Sequence, residues 1–189
     1  MAKRTADNVK AVELGVIPPN YKGVVTMRVK TADFAPSKSS GKPMITLDCE
    51  IIHPLQIVSD FDGKTYNLDS LKCPIYISLS EVDSKGNPSD NLHYLVNDLL
   101  PKLDMGNSID DENPLYDEEK NPEGLRFEGV CFDIIVESQQ RKESRRKSDG
   151  SYEVLKDVDG KEIIKGNEWK MMSIKNILRK STVETDVAF

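Results

Sequence analysis

Cysteine and histidine are scarce, with Cys49, Cys73, Cys131, His53 and His93 all far apart along the chain. An odd number of scattered cysteines builds no disulfide framework, and no Cys or His pair has the short spacing of a zinc site. Each cysteine lies within an apolar segment, which predicts buried thiols in a reducing compartment. No apolar run approaches the roughly 20 residues of a membrane helix, and "MAKRTADNVKAVELGVIPPNYKG" has no signal-peptide core. The expected location is therefore the cytoplasm, with no membrane partner. Phosphate-cradling Gly-x-x-x-x-Gly-Lys-Ser/Thr spacing and a nucleophile elbow are both missing. Asp60, Asp62 and Asp69 in "SDFDGKTYNLD" do not match a calcium loop, because the glycine comes too early; Asp-Gly here makes a turn. The sequence predicts a protein that is not an enzyme and needs no metal or cofactor. Aromatics are also few, at 6% with a single tryptophan.

Charge is plentiful but unevenly placed. The formal net charge is -6, yet residues 104–123 hold eight acids against one lysine, so the remainder of the chain sums to +1. Two stretches are basic. Residues 21–42 carry Lys22, Arg28, Lys30, Lys38 and Lys42 against Asp33, and 138–148 carry Arg141, Lys142, Arg145, Arg146 and Lys147 against Glu143. Each nets +4. The distribution, and not the average, decides whether a polyanion is a possible partner.

Residues 1–20 read as a polar arm ending in two prolines, 21–180 as the folded domain, and 181–189 as a flexible tail. "YKGVVTMRVKTADF" alternates with Tyr21, Val25, Met27 and Val29 on one face, the mark of a half-buried strand. After the turn-rich "APSKSSGKP", "MITLDCEII" places Ile45, Leu47, Cys49 and Ile51 on one face. "KCPIYISLS" puts Cys73, Ile75, Ile77 and Leu79 inward and Tyr76 outward. "SDNLHYLVNDLLPKL" switches to helical spacing, with Ser89 or Asp90 able to cap its start and Pro101 ending or kinking it. The acidic insert follows as an exposed loop. "LRFEGVCFDIIVESQQ" is a strand with a possible bulge at Gly129, its Phe127 and Phe132 in the core. Then come the basic run as a loop, a hairpin turning at Asp159–Gly160, and a closing strand in "NEWKMMSIKNIL". The expected architecture is mainly β: a five-stranded Greek-key barrel with one helix between strands three and four, plus extra loops and a hairpin. That is the order of an OB-fold.

The two basic stretches then fall on the loops by which OB-folds contact oligonucleotides, 35–43 and 138–151. The segment from Tyr21 to Ile52, the helix at "NLHYLVNDLL" and "GLRFEGVCFDIIVE" before a cationic loop resemble bacteriophage single-stranded DNA-binding proteins. "ETDVAF" is similar to a shortened tail of the bacterial proteins of that kind, with only Glu184 and Asp186 as acids and no proline before Phe189. The resemblance implies coating and protection of single-stranded DNA in replication or recombination, with little sequence preference, and replication or recombination proteins docking on Glu184, Asp186 and Phe189. It also implies the host cytoplasm, and leaves a homo-oligomer open.

Sequence-tolerant binding needs cations to follow phosphates and flat rings to cover bases. The candidates are Arg28, Lys30, Lys38, Lys42, Arg141, Lys142, Arg145, Arg146 and Lys147 for the first task. Phe34, Tyr76 and Tyr152 are candidates for the second, with Trp169 more expected in the core or at its rim. Two rival readings stand beside this one. The first is a protein-interaction or virion-assembly β-barrel module, and the second is an OB domain for RNA.

Overall fold

The computed structural model describes residues 17–38, 40–69, 71–82, 86–107, 126–170 and 172–182, together with the backbone of 12–14, 116–117 and 121–125. The main-sheet and arm strands are labelled β1 to β8 and the helical segment α1. The protein is mainly β, and its central element is β1, Lys22–Pro36. This strand pairs antiparallel on one side with β2, Pro43–His53, and on the other with β4, Cys131–Lys142. β2 in turn pairs with β3, Cys73–Ser78. β4 pairs along its distal half with β7, Ile164–Trp169, and along its proximal half with β8, Ile177–Lys180. The strand order is β7-β4-β1-β2-β3, with β8 also on β4.

The alternation predicts the core well. Val25, Met27 and Val29 of β1, Ile45, Leu47, Cys49 and Ile51 of β2, and Cys73, Ile75 and Ile77 of β3 are all buried. Phe127, Phe132, Ile134 and Val136 complete this side, and Leu95, Leu99 and Leu100 of the helical segment are fully buried in the same cluster. Burial of each such side chain contributes about 1.5–3 kcal/mol.

α1 spans 91–102 and consists of α-helical Asn91–Tyr94, a π turn at Leu95–Leu99 and α-helical Leu100–Lys102. The π turn sits immediately before Pro101, whose ring has no N–H and crowds the carbonyl four residues back in a regular helix. Ser89 Oγ accepts from Asn91 N at 3.4 Å, whereas the Asp90 side chain makes no cap hydrogen bond.

Three expectations are corrected. The sheet is not closed into a barrel, because the expected closing strand is split: β7 and β8 both spend their pairing on β4, and neither bonds to β3. The basic segment is no loop, since β4 runs on to Lys142 and the chain then forms a second hairpin. Gly129, at φ 78°, lies in a turn before β4; its N–H still reaches Val29 O, at the β1 bulge. Within the N-terminal arm, Val12–Leu14 pairs parallel with Thr65–Asn67 beside Gln56–Val58 in a small separate sheet. Most of the acidic insert lies outside the described residues. Among those described, no helix is long and apolar enough to cross a membrane.

One polar network fixes the outer face where β1, β4 and β8 meet. Thr26 Oγ1 donates to Asp133 Oδ1 at 2.8 Å, and Arg179 Nε donates to Asp133 Oδ2 at 3.0 Å. Burial alone would raise the Asp133 pKa, but hydrogen bonds with Thr26, Arg179 and Ser181 and the Arg179 charge hold it below the ordinary 3.8. A depressed folded-state pKa supplies stability that is present above the unfolded value and lost as pH falls through the folded one. The denaturation midpoint is therefore expected to drop as pH falls below 3.8. Asp133→Asn should cost about 1–3 kcal/mol at neutral pH and flatten that acid limb. Urea titrations from pH 6 to pH 2 check this; parallel curves for the two proteins would remove the network from the account.

Candidate nucleic-acid interface

The basic segment is built as a projecting arm. β4 and β7 form its stem, and beyond them β5, Ser144–Arg146, pairs with β6, Tyr152–Val154. A second small hairpin is closed by the Lys156–Glu162 bridge. Stem and hairpins meet in a ring of three backbone hydrogen bonds: Glu143 N to Ile163 O, Ile163 N to Leu155 O, and Leu155 N to Glu143 O. These three residues exchange bonds among three chain segments, so each segment end is satisfied without a core beneath it. Apart from half-buried Leu155 and Ile163, residues 139–166 are exposed.

Pairing changes the electrostatics that the linear charge run suggests. Residues 139–168 contain eight cations and seven acids, and the returning strands bring acids opposite the cations. Arg141 faces Glu168 at 3.6 Å, Lys142 faces Glu162 at 2.6 Å, and Arg145 faces Glu153 at 3.6 Å. Arg146 and Lys147 have no such partner among the described residues. Arg146 lies opposite Tyr152, so the free guanidinium and a 70% exposed ring share one face of the hairpin, while Arg145 and Glu153 take the other. Asp149 accepts from Ser151 N and Oγ, which holds its carboxyl below the usual range, and Gly150 at φ 85° completes the tip turn.

The first basic loop is a short closed turn. Ser37 N donates to Lys42 O and Gly41 N to Ser37 O, while Lys42 Nζ is tied back to Val82 O at 2.9 Å. Lys38 stays exposed. Arg28 and Lys30 converge on Glu50, the first by a hydrogen-bonded pair and the second at 3.7 Å. Phe34 pairs with buried Ile45 and so lies on the core side of the sheet, beyond the core's edge, 57% exposed. Tyr76 stands on the opposite, outer side at 58% exposure, so these two rings do not form one platform.

Along β1 the 36–43 turn and the arm leave from opposite ends, since Lys22 at the start of the strand pairs with Glu137 just before the stem. What joins them is the open edge. A groove of about 590 Å³ runs from Pro36, Ser37 and Lys38 across the outer face of β1 and β2 to Tyr76. A second cavity, about 270 Å³, begins at the same Tyr76 and reaches Glu168 and Trp169 at the base of the arm. It fills the seam that barrel closure would have occupied. Trp169 is buried against Tyr21, ring centroids 6.0 Å apart, and its indole N–H meets only the weakly accepting Cys73 thiol without a hydrogen bond of ordinary geometry. Burial raises the Cys73 pKa to about 12 and raises that of the facing Cys49, so neither is a thiolate nucleophile.

The expected cations therefore divide. Among the described residues Arg146, Lys147 and Lys38 have no acid partner, Arg141, Lys142 and Arg145 are paired within the arm, and Arg28, Lys30 and Lys42 are engaged elsewhere on the sheet. The sequence reading missed Glu153, Glu162 and Glu168; the Asp149–Gly150 turn is the signal that could have found Glu153 opposite Arg145, whereas Glu162 and Glu168 depend on the later return of the chain onto β4. Glu184, Asp186 and Phe189 lie outside the described residues. Comparison with protein-family models, curated proteins and solved structures finds no match.

Trp169 is the chain's single tryptophan, so its emission reports the seam. Tyr76→Ala removes one wall of the cavity but little buried surface, and is expected to red-shift native emission while changing stability by less than about 1 kcal/mol. Fluorescence with a urea titration measures both, and unshifted emission would separate Tyr76 from the Trp169 environment.

Proposed function

We propose that the protein binds single-stranded DNA with little sequence preference, without catalysis, through an opened OB arrangement. The strand order β7-β4-β1-β2-β3 supports this reading, because it is compatible with an OB sheet lacking its last closure. One observation carries the reading: exposed Tyr76 lies where the groove from the 36–38 turn meets the cavity at the base of the basic arm. A strand following that path would stack bases on Tyr76, with Tyr152 a second ring on the arm. Its phosphates would ride near Lys38, Arg146 and Lys147. The paired arginines remain usable, because ion pairs this exposed are worth at most about 1 kcal/mol and a phosphate can replace the carboxylate.

The role that follows is coating of single-stranded intermediates in replication or recombination, in the manner of the bacteriophage proteins the sequence resembles, within a host cytoplasm. Glu184, Asp186 and Phe189 are then the proposed contact for replication or recombination proteins, and self-association along the strand is compatible with it. A second reading is favoured by the exposed apolar side chains of the arm, Val154, Val158 and Ile164. Under it the arm docks on protein, as in an assembly module, and no nucleic acid binds.

Titration of labelled single-stranded DNA, RNA and duplex DNA at two salt concentrations separates these readings. Single-stranded DNA is expected to bind best. The logarithmic salt slope should lie between about -2, for Lys38, Arg146 and Lys147 alone, and about -3.5 for five contacts. Reversing Arg146 and Lys147 to Glu should weaken binding about tenfold or more regardless of base sequence. Replacing Glu153, Glu162 and Glu168 by Gln should strengthen it. Salt-insensitive affinity contradicts the proposal, an RNA preference replaces it with the RNA-binding OB reading, and no binding to any strand leaves the assembly reading.

A further inference from the structure

The floor of the groove has the wrong sign for phosphate. Outward-facing side chains fall in rows across three strands: Asp33 opposes Thr46, which opposes Tyr76, and the next row places Asp48 on β2. Side chains directly opposite stand about 4.5–5.5 Å apart and diagonal ones about 7–8 Å. A planar ring lying on Tyr76 therefore has the Thr46 hydroxyl at its edge, with the carboxylates of Asp48 diagonally and Asp33 beyond. Neither carboxylate has an ion pair or a hydrogen bond among the described residues. On an open sheet two such acids would be a solvated face. Here they line the same concave groove as a 58% exposed aromatic ring, with Lys38 confined to its rim.

We infer that this groove takes bases and not phosphates, and that it favours bases carrying an exocyclic amine. The inference rests on the single-strand reading above and names what that site selects. Cytosine N4, adenine N6 and guanine N2 present N–H donors that a carboxylate accepts in a charge-assisted hydrogen bond. Thymine presents carbonyl oxygens on both sides of its one ring N–H, and these meet carboxylate oxygens of like sign. The strand thus lies with its bases toward Asp33, Thr46, Asp48 and Tyr76 and its phosphates outward, where the rim and arm cations are. Phosphate repulsion by the two carboxylates and amine attraction favour the same orientation.

The experiment compares labelled oligo-dC with oligo-dT of equal length at pH 7.5, two pyrimidine strands that differ at the amine, using the wild-type chain and Asp33→Asn/Asp48→Asn. Wild type should bind oligo-dC about fivefold or more tighter. The double variant, whose amides can donate to thymine carbonyls, should bring the ratio close to one. Both aspartates are exposed, and an unchanged circular dichroism spectrum verifies the fold. Equal or tighter binding of oligo-dT by wild type overturns the inference while leaving single-strand binding in place. A preference that survives in the double variant overturns the assignment to these carboxylates. No binding of either strand removes the parent reading, and this one with it.

Discussion

β1 is the element on which everything else is hung, because its backbone is hydrogen-bonded on both sides. A strand of fifteen residues with β2 on one edge and β4 on the other cannot lie flat. Its pairing with β2 slips at Thr26/Met27 and again at Val29/Thr31, and such bulges bend a strand and increase its twist. The inner face keeps its apolar register through the first slip, so Val25, Met27 and Val29 stay buried while the outer face curves into a groove. β4 offers its second edge to β7 and β8 in succession, which leaves β3 with an open edge. The seam beside Tyr76 is the consequence of how that pairing capacity is divided.

Electrostatics follow from pairing just as directly. Five cations in seven residues look like a polyanion site, but a hairpin places a partner opposite every position. The returning strands carry Glu153, Glu162 and Glu168. Of the expected site cations, those left without an acid partner among the described residues are Arg146 and Lys147 at the arm tip next to Tyr152, and Lys38 at the groove. Between these points the floor is acidic. An acidic, aromatic floor with Lys38 at its rim suits the proposed single strand, whose anionic backbone and donor-bearing bases are divided in the same way. A uniform polyanion such as heparin has no use for the floor.

Strand alternation made β1, β2 and β3 legible, down to Tyr76 on the outer face, because one side of each strand meets the core and period two records it. Helical spacing likewise gave α1, although the π turn before Pro101 left no pattern of its own. The absence of barrel closure was not legible: "NEWKMMSIKNIL" reads as one strand, and nothing in its composition says that it breaks at Ser173 and returns both halves to β4. Phe34 shows the limit of alternation at a strand end. It keeps the core-facing register, but the core has already stopped, so the ring is exposed on the wrong side to join Tyr76. Burial of Trp169 followed from its size and its place at the stem's base, whereas the charge pairing of the arm depends on register between segments some ten to thirty residues apart.

The central claim is that one continuous path runs from the 36–38 turn, over Tyr76, to the base and tip of the arm. Backbone amide shifts of the isotope-labelled protein, followed during titration with an unlabelled single-stranded oligonucleotide, test it most directly. The account predicts perturbations confined to residues 31–38, 44–48, 74–78, 146–152 and 168–169. Shifts gathered instead on the helical face around His93, or on the arm tip alone with 74–78 unmoved, would contradict it.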